Sequence, residues 1–347
     1  MTALTASPSA RAASRSSALL RSPTLRYALA RIGQAILAAF LVYVVVFVIV
    51  TVLPGNPVEA RLRSPELGYT EEEVQRLLAY YHLDQPVWTQ LGFALQRIIL
   101  HGDWGISLEG GRSVWSVVWE GFPATLQLAS AAFGIALVLA FLIALGATFL
   151  PTRWGGGLLR SFPSLFLSLP NFLIGLVLIN VFSFGLNWFS IIDYNSSSAL
   201  VYAALTLAIP VSSPIAQIFI TALDEARSQP YATVAVSKGI SRPRLFLSHL
   251  LPNAALPTLT ITAVIVGDLL GGSMITEAVF GRTGIGTVIA SAATTQDVPV
   301  LQAAVTLTAV IFLTVNLITD LVYPLLDPRL RRRTAARRAS VRKEVSA

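Results

Sequence analysis

Residues 32–53, IGQAILAAFLVYVVVFVIVTVL, carry no charged side chain at all. About 20 such residues in a helix cross the hydrocarbon core of a bilayer. There, every backbone N–H and C=O must be satisfied inside the chain, which leaves helices as the spanning form for a run of this kind. Five further stretches reach the same length: 124–150, 158–186, 199–222, 250–275 and 300–326. The third is interrupted by Pro163, Pro170 and Asn171, which a membrane helix tolerates when its neighbours satisfy the freed carbonyls. Only 12% of the chain is charged, against 54% hydrophobic; soluble domains average about a quarter charged. The expected fold class is all-α: a polytopic membrane protein with six transmembrane helices. The first run is too long for a signal peptide, and LPGNP follows it instead of a small-residue cleavage site.

Six crossings place both termini on one side, and the basic residues select that side. Arg11, Arg15, Arg21, Arg26 and Arg31 precede the first span. Arg153 and Arg160 lie between the second and third spans, and Arg227, Lys238, Arg242 and Arg244 between the fourth and fifth. RLRRRTAARRASVRKE follows the sixth. All fall on one face, so the positive-inside rule makes both termini cytoplasmic. The net charge of +7 therefore reads as topology, with no nucleic-acid partner expected. Residues 1–31 are expected to be a basic cytoplasmic segment, disordered over its first 25 residues, and 327–347 a basic tail able to touch anionic lipid. Cysteine is absent, and His82, His101 and His249 are far apart. Neither a zinc site nor a histidine-dependent triad is expected.

The opposite face receives 54–123, which is richer in acids than bases. Thr70 followed by Glu73 is a capping box. Val74, Leu77, Leu78 and Tyr81 recur at helical spacing until Asp84-Gln85-Pro86 stops them. A second amphipathic stretch runs from 87 to 100, and GDWGIS turns the chain. The segment is read as a small helical cap lying on the outer surface. Its Tyr80, Tyr81, Trp88, Trp104, Trp115 and Trp119 suit packing and the membrane interface.

Between spans four and five stands YATVAVSKGISRPRLFLSHLLPNAALP, residues 231–257. Its pattern predicts a helix from Tyr231 to Lys238, a break at Gly239, and a second helix from Arg242 to Leu251. The glycine supplies the left-handed or close-packed turn. Ser241 is positioned to cap the second helix, with Pro243 in its first turn. Carrying a solute needs only a short loop here; a protruding elbow tipped with Lys238, Arg242 and Arg244 suggests a surface on which something docks.

This stretch resembles the cytoplasmic EAA loop of ABC importer permeases, in the form found in the dipeptide/oligopeptide type. Counting from Gly239, the family's Glu-Ala-Ala falls on Thr233-Val234-Ala235 and its later Leu-Pro on Leu251-Pro252. Thr233 and Val234 thus replace the usual Glu and Ala; Glu225-Ala226-Arg227 stands at the wrong distance. LPGNPVEA, HLDQP, GDWGIS, FPATLQL, GGSMITEAVFGRTGIG (with Thr283 where Pro is usual), TTQDVPVLQ and NLITDLVYPLLDPRL follow the family's landmarks in order. The resemblance implies a second homologous permease, two ATPase subunits beneath, and an extracytoplasmic binding protein that delivers the solute. It also implies a permease core over 124–326 with a coupling loop at 225–250. Tyr231, Thr233, Val234, Ala235, Lys238, Gly239, Arg242 and Arg244 are the implied coupling residues. The chain has no GxxxxGK[ST] run, so ATP and Mg²⁺ are expected on the partner subunits, with no cofactor on this chain and no enzyme activity of its own. Peptides are the first expectation for the solute; nickel chelates, glutathione, sugars or opines are alternatives.

An ion-coupled secondary transporter is the rival class, but no paired inverted repeat is evident. An intramembrane protease lacks its motif context. Ionisable residues within spans are functional candidates, since insertion scales put a central charge at about 2.5–3.5 kcal/mol. Asp268 and Glu277 are the candidates for the solute path or outer gate. Asp320 reads as structural. Asn171, Asn180, Gln217 and Asn316 can join helices or face the path.

Overall fold

The computed structural model describes residues 23–52, 57–151, 153, 155–194 and 196–326. The expectations for residues 1–22, for LPGN at 53–56 and for the tail 327–347 lie outside the described residues. Helix α1 is Pro23–Val52; α2, α3 and α4 are Pro57–Leu62, Glu71–Tyr81 and Val87–His101. Helix α5 is Val114–Phe149, α6 is Gly156–Leu167 and α7 is Asn171–Leu178, continued by a π-helical stretch Ile179–Gly185. Then come α8 (Ser197–Ser228), α9 (Pro230–Ser237), α10 (Arg242–Leu245), a π-helical stretch Phe246–Leu250, α11 (Leu251–Phe280), α12 (Ile285–Thr294) and α13 (Val298–Leu326). The described residues are all-α apart from one isolated bridge, Ile106 to Ser113.

Five helices are long and apolar enough to cross a membrane, and a bent pair, α6 with α7 and its π extension, turned by 112°, brings the number to six where the pair counts as one span. The pair meets α8 near both of its ends. Arg160 binds Asp224, and Phe182 packs on Tyr202 at 5.2 Å between ring centroids. Those α8 residues lie 22 positions apart, about 33 Å of helix, so the pair follows most of the length of α8. Ser168-Leu169-Pro170 makes the bend. The residue before a proline avoids the α region, which is why the break falls there.

Two boundaries differ from the sequence expectation. Residues 23–31 are helical and continuous with the first span, where the sequence reading began the span at residue 32. The helix that holds the second span begins at Val114, ten residues before the span expected from 124, because Pro123 is accommodated inside the helix. With 36 residues, about 54 Å at 1.5 Å per residue, α5 projects beyond any bilayer and carries Trp115, Trp119 and Phe122 into the outer segment. These rings stack in sequence, 5.3 Å and 4.9 Å between centroids.

The core is the α5–α8 pair. Ala132, Ala136, Ala140, Ala144 and Ala147 form one stripe of α5, and Ala199, Ala203, Ala204, Ala208 and Ala216 answer from α8; all are buried. Small residues let helix backbones approach in lipid, where dispersion and not water exclusion holds helices together. Helix α11 packs on α8, while α1 rests mainly against α13. Helix α1 turns Ile36, Leu37, Phe40, Val45 and Ile49 outward, as a lipid-facing helix does.

The outer segment folds as its pattern predicts, with both hydrogen bonds of the Thr70/Glu73 capping box present. Val58, Leu62, Val74 and Leu108 make a small core. Burial and the bond from Tyr80 to Asp103 push the Tyr80 hydroxyl up to about 12. The Tyr81 hydroxyl donates to Ile106 O at 2.6 Å and accepts from Ile106 N at 2.8 Å. The segment is also pinned to the span core: Ser107 Oγ donates to Asp297 Oδ2 at 2.5 Å, and Asp297 Oδ1 accepts from Val300 N at the start of α13 at 3.4 Å.

Candidate coupling site

Helix α8 ends at Ser228. One extended residue, Gln229 (φ −70°, ψ 148°), turns the chain into α9, whose first residue is Pro230. Proline suits this position because its missing N–H would be unpaired there anyway. Helix α9 stops at Lys238, and Gly239 takes φ +75°. No heavy atom lies within 4 Å of where a Cβ on Gly239 would sit. The glycine is needed for its backbone angle, not for space.

Ser241 occupies the cap position of α10, but its side chain makes no capping bond. This corrects the expected side-chain cap; the helix start rests on Pro243. The second arm is not a separate short helix either. From Arg242 the chain runs without a break through α10 and the π-helical stretch into α11. The elbow's distal arm and span five are therefore one continuous rod.

Burial divides the expected coupling residues. Ala232, Ala235, Leu245, Phe246 and Leu250 face the core, and Phe246 meets Phe149 at the end of α5 edge-on at 5.4 Å. Ala235 thus anchors the elbow to its own chain. Tyr231, Thr233, Val234, Lys238, Gly239, Arg242 and Arg244 are exposed, together with Val236 and Leu247. Among the described residues none of Lys238, Arg242 and Arg244 has an ion pair. The knuckle presents unpaired cations beside exposed valines and a tyrosine.

The other end of α11 is built differently. Glu277 is completely buried. Its Oε2 accepts from Gly286 N at 2.8 Å, and its Oε1 has no hydrogen-bond partner among the described residues. A Cβ on Gly284 would collide with the Glu277 carboxylate, and one on Gly286 with the Met274 backbone. Ile285 N donates to Thr125 Oγ1 at 2.8 Å, so the glycine loop is also bound to α5. Arg282, 3% exposed, donates to Tyr194 O at 2.6 Å and to Gln127 Oε1 at 3.4 Å. Burial pulls its guanidinium down from the usual value, and the Glu277 charge opposes this. Glu277 is buried in this conformation and supports the glycine loop from within.

Asp268 is exposed on α11, on one stripe with Pro257, Val264, Gly271, Ile275 and Ala278. It is not brought together with Glu277. Asp320 pairs with Arg31 at 3.3 Å, joining the first and last spans in the structural role expected of it. Four polar residues that matter to the architecture went unmarked in the sequence reading: Thr125, Asp224, Arg282 and Asp297. Their partners lie 64 to 190 positions away, and no local pattern reports such distances. Arg282 alone carried a signal, as a charge inside a glycine-rich run.

Residues 132–332 match the family model described as "Binding-protein-dependent transport system inner membrane component". The glutathione transport system permease proteins GsiC of Shigella boydii serotype 4 (strain Sb227), Escherichia coli (strain K12) and Salmonella typhimurium (strain LT2) are each 31% identical over 308 residues, covering 88% of this chain and 99% of theirs. A crystal structure of an amino acid ABC transporter with histidines overlaps 63% of this chain and 94% of its own, at 18% identity and a TM-score of 0.46. With an all-α multi-span fold and a matching core that includes the elbow, the chain belongs to the family of binding-protein-dependent transport system inner membrane components: it is an ABC permease subunit, a multi-pass membrane protein that works with ATPase and binding-protein partners.

Proposed function

We propose that this chain is one half of the pore of an ATP-driven importer for small peptides, with glutathione, itself a tripeptide, among the candidates. The observation that carries this reading is the elbow: a cationic, partly apolar knuckle left uncovered by its own chain and continuous with span five. A groove on an ATPase that grips α9 moves Gly239, α10 and α11 together. Closure of two ATPases on ATP and Mg²⁺ then tilts span five as a rigid rod, a hinge-type transmission. Tyr231, Thr233, Val234, Lys238, Arg242 and Arg244 are the contact set. Gly239 sets the angle, and Ala235 holds the elbow to the core. The orientation that follows is the one the basic residues favour, with elbow and termini cytoplasmic.

The α11 stripe supports the pore assignment. A carboxylate at Asp268 within a span has to face water or a partner chain, because exposure to lipid near the centre costs about 2.5–3.5 kcal/mol. A second, homologous permease across that stripe encloses it and gives the solute a polar contact. The solute itself is supported by the relatives, whose names assign them to glutathione transport. Nickel chelates, sugars or opines remain alternatives on the family resemblance alone.

The test is reconstitution. Proteoliposomes holding this chain, a partner permease, both ATPases and the binding protein should take up labelled dipeptide or glutathione only with ATP. Omitting the ATPases should abolish uptake. Uptake by this chain alone on an ion gradient would refute the reading. Asp268→Asn should change uptake while leaving membrane insertion normal, and unchanged uptake would remove Asp268 from the path.

A further inference from the structure

At the elbow end of the molecule a cavity of about 310 Å³ opens where α5 stops and the chain turns into α6. Its wall combines Thr148 and Leu150 from the end of α5, Gly156 and Gly157 from the start of α6, and two guanidiniums, Arg160 and Arg227. Arg160 is held in a fork by Asp224, at 2.5 and 3.1 Å, so one positive charge there is already balanced. Among the described residues Arg227 has no ion pair; its Nη1 donates to Thr148 O at 3.5 Å. Helix α6 begins on Gly155, φ +97°, and no side chain caps it. Its N-terminus therefore adds the partial positive charge that attracts anions. Thr148, 6% exposed, has a buried hydroxyl with no hydrogen-bond partner among the described residues. That hydroxyl is sealed from the cavity, so the cationic character of the wall comes from Arg227 and the start of α6.

The rim identifies the class of anion that such a wall would hold. Phe149 and Leu150 line the cavity and are exposed, and Leu158, which follows Gly157 of the wall in the chain, is exposed as well, at an end of the bundle where a membrane helix meets headgroups. A free anion has no use for an apolar rim; a phospholipid does. We propose that this cavity is a binding site for the phosphate headgroup of an anionic phospholipid, with Arg227 as its principal cation and the acyl chains lying over Phe149, Leu150 and Leu158. Basic pockets between spans are a recurrent way of holding such headgroups. The site adjoins the joint of the elbow, because Phe149 also packs on Phe246. A lipid bound there ties the end of α5 to α6 and α8 immediately before α8 leads into α9. Lipid composition then sets how stiffly the elbow is mounted. On the orientation proposed above the lipid comes from the inner leaflet; retention of the lipid does not depend on that orientation.

The experiment uses the assembled importer taken from vesicles of phosphatidylcholine and phosphatidylglycerol, with lipids that stay bound counted by native mass spectrometry. The wild type should keep phosphatidylglycerol in preference to phosphatidylcholine. Arg227→Gln should keep about fivefold less, the factor expected for one basic residue at an anionic surface, and Arg227→Lys should restore retention. Gly157→Asp puts an acid at the start of α6, where it favours the helix, and should also shed the lipid; it serves if Arg227→Gln folds poorly. Excess inorganic phosphate should not displace the lipid. Equal retention of phosphatidylglycerol in wild type, Arg227→Gln and Gly157→Asp overturns the proposal. So does full displacement by phosphate, which marks a free-anion site. Unchanged lipid with lost ATPase assembly in Arg227→Gln also overturns it, since the cavity is then a protein contact.

Discussion

The two ends of α11 are made from similar material and finished in opposite ways. At one end the chain turns on Gly239 and leaves Lys238, Arg242, Arg244, Val234 and Val236 uncovered. At the other it turns on Gly281, Gly284 and Gly286 and draws Glu277 and Arg282 wholly inside. At the elbow a glycine provides a backbone angle with open space around it. In the glycine loop at the far end, Gly284 and Gly286 provide space, because carboxylate and backbone occupy the place of their Cβ atoms. Among the described residues the first end is left uncovered by its own chain; the second is finished by it. A single rod anchored at one end and open at the other is what a transmission element requires.

Substitutions at these two glycine sites can break the comparison. Gly284→Ala should have the largest effect on the folded protein. Its methyl collides with Glu277, and overpacking of this kind costs about 1–3 kcal/mol, seen as a lower Tm and yield in detergent, with specific activity per folded molecule preserved. Gly239→Val should show the reverse. A β-branched residue at φ +75° strains the backbone by about 1–3 kcal/mol, but that strain is confined to an exposed turn. Yield and insertion should be normal, while transport and solute-stimulated ATP hydrolysis collapse. If Gly239→Val lost yield and Gly284→Ala lost only coupling, the assignment of roles to the two ends would be inverted.

Smaller effects sharpen the picture. Asp297→Ala removes the acceptor for Ser107 Oγ and for Val300 N. Loss of a cap of this type costs about 1 kcal/mol, and limited proteolysis should then cut the outer segment faster without affecting the elbow. The smallest effect is expected from Lys238, Arg242 and Arg244, each changed singly to Gln. Exposed ion pairs are worth about 0.2–1 kcal/mol, so each change should weaken ATPase binding slightly and flatten its dependence on salt.

Much of this architecture is legible in the sequence because it is local. Charge-free runs mark spans, Thr70 and Glu73 mark a helix start, and a lone glycine among cations marks the elbow. Pro163 and Pro170 flagged the broken third span, though not its 112° bend, which depends on how α6 and α7 seat against α8. The burial of Glu277 was not legible in the sequence, for a physical reason. A carboxylate near a glycine-rich run looks like an exposed turn, and only the three-dimensional approach of Gly284 and Gly286 shows that the glycines exist to admit it. The bonds from Ser107 to Asp297 and from Arg160 to Asp224 join segments 190 and 64 positions apart, beyond the reach of any local pattern. The continuity of the elbow's second arm with span five was hidden as well, because the proline-rich start at Arg242-Pro243 suggests an independent helix.

The absence of cysteine from the chain makes the central claim directly measurable. A single cysteine at Val234, which is 51% exposed at the elbow, can be labelled with a water-soluble maleimide in the isolated permease and in the importer assembled with its ATPases. The elbow account predicts rapid labelling of the isolated chain, strong protection in the assembled complex, and a change in that protection when ATP is added. Equal labelling in both states, with or without ATP, would show that nothing grips the elbow and would contradict the account.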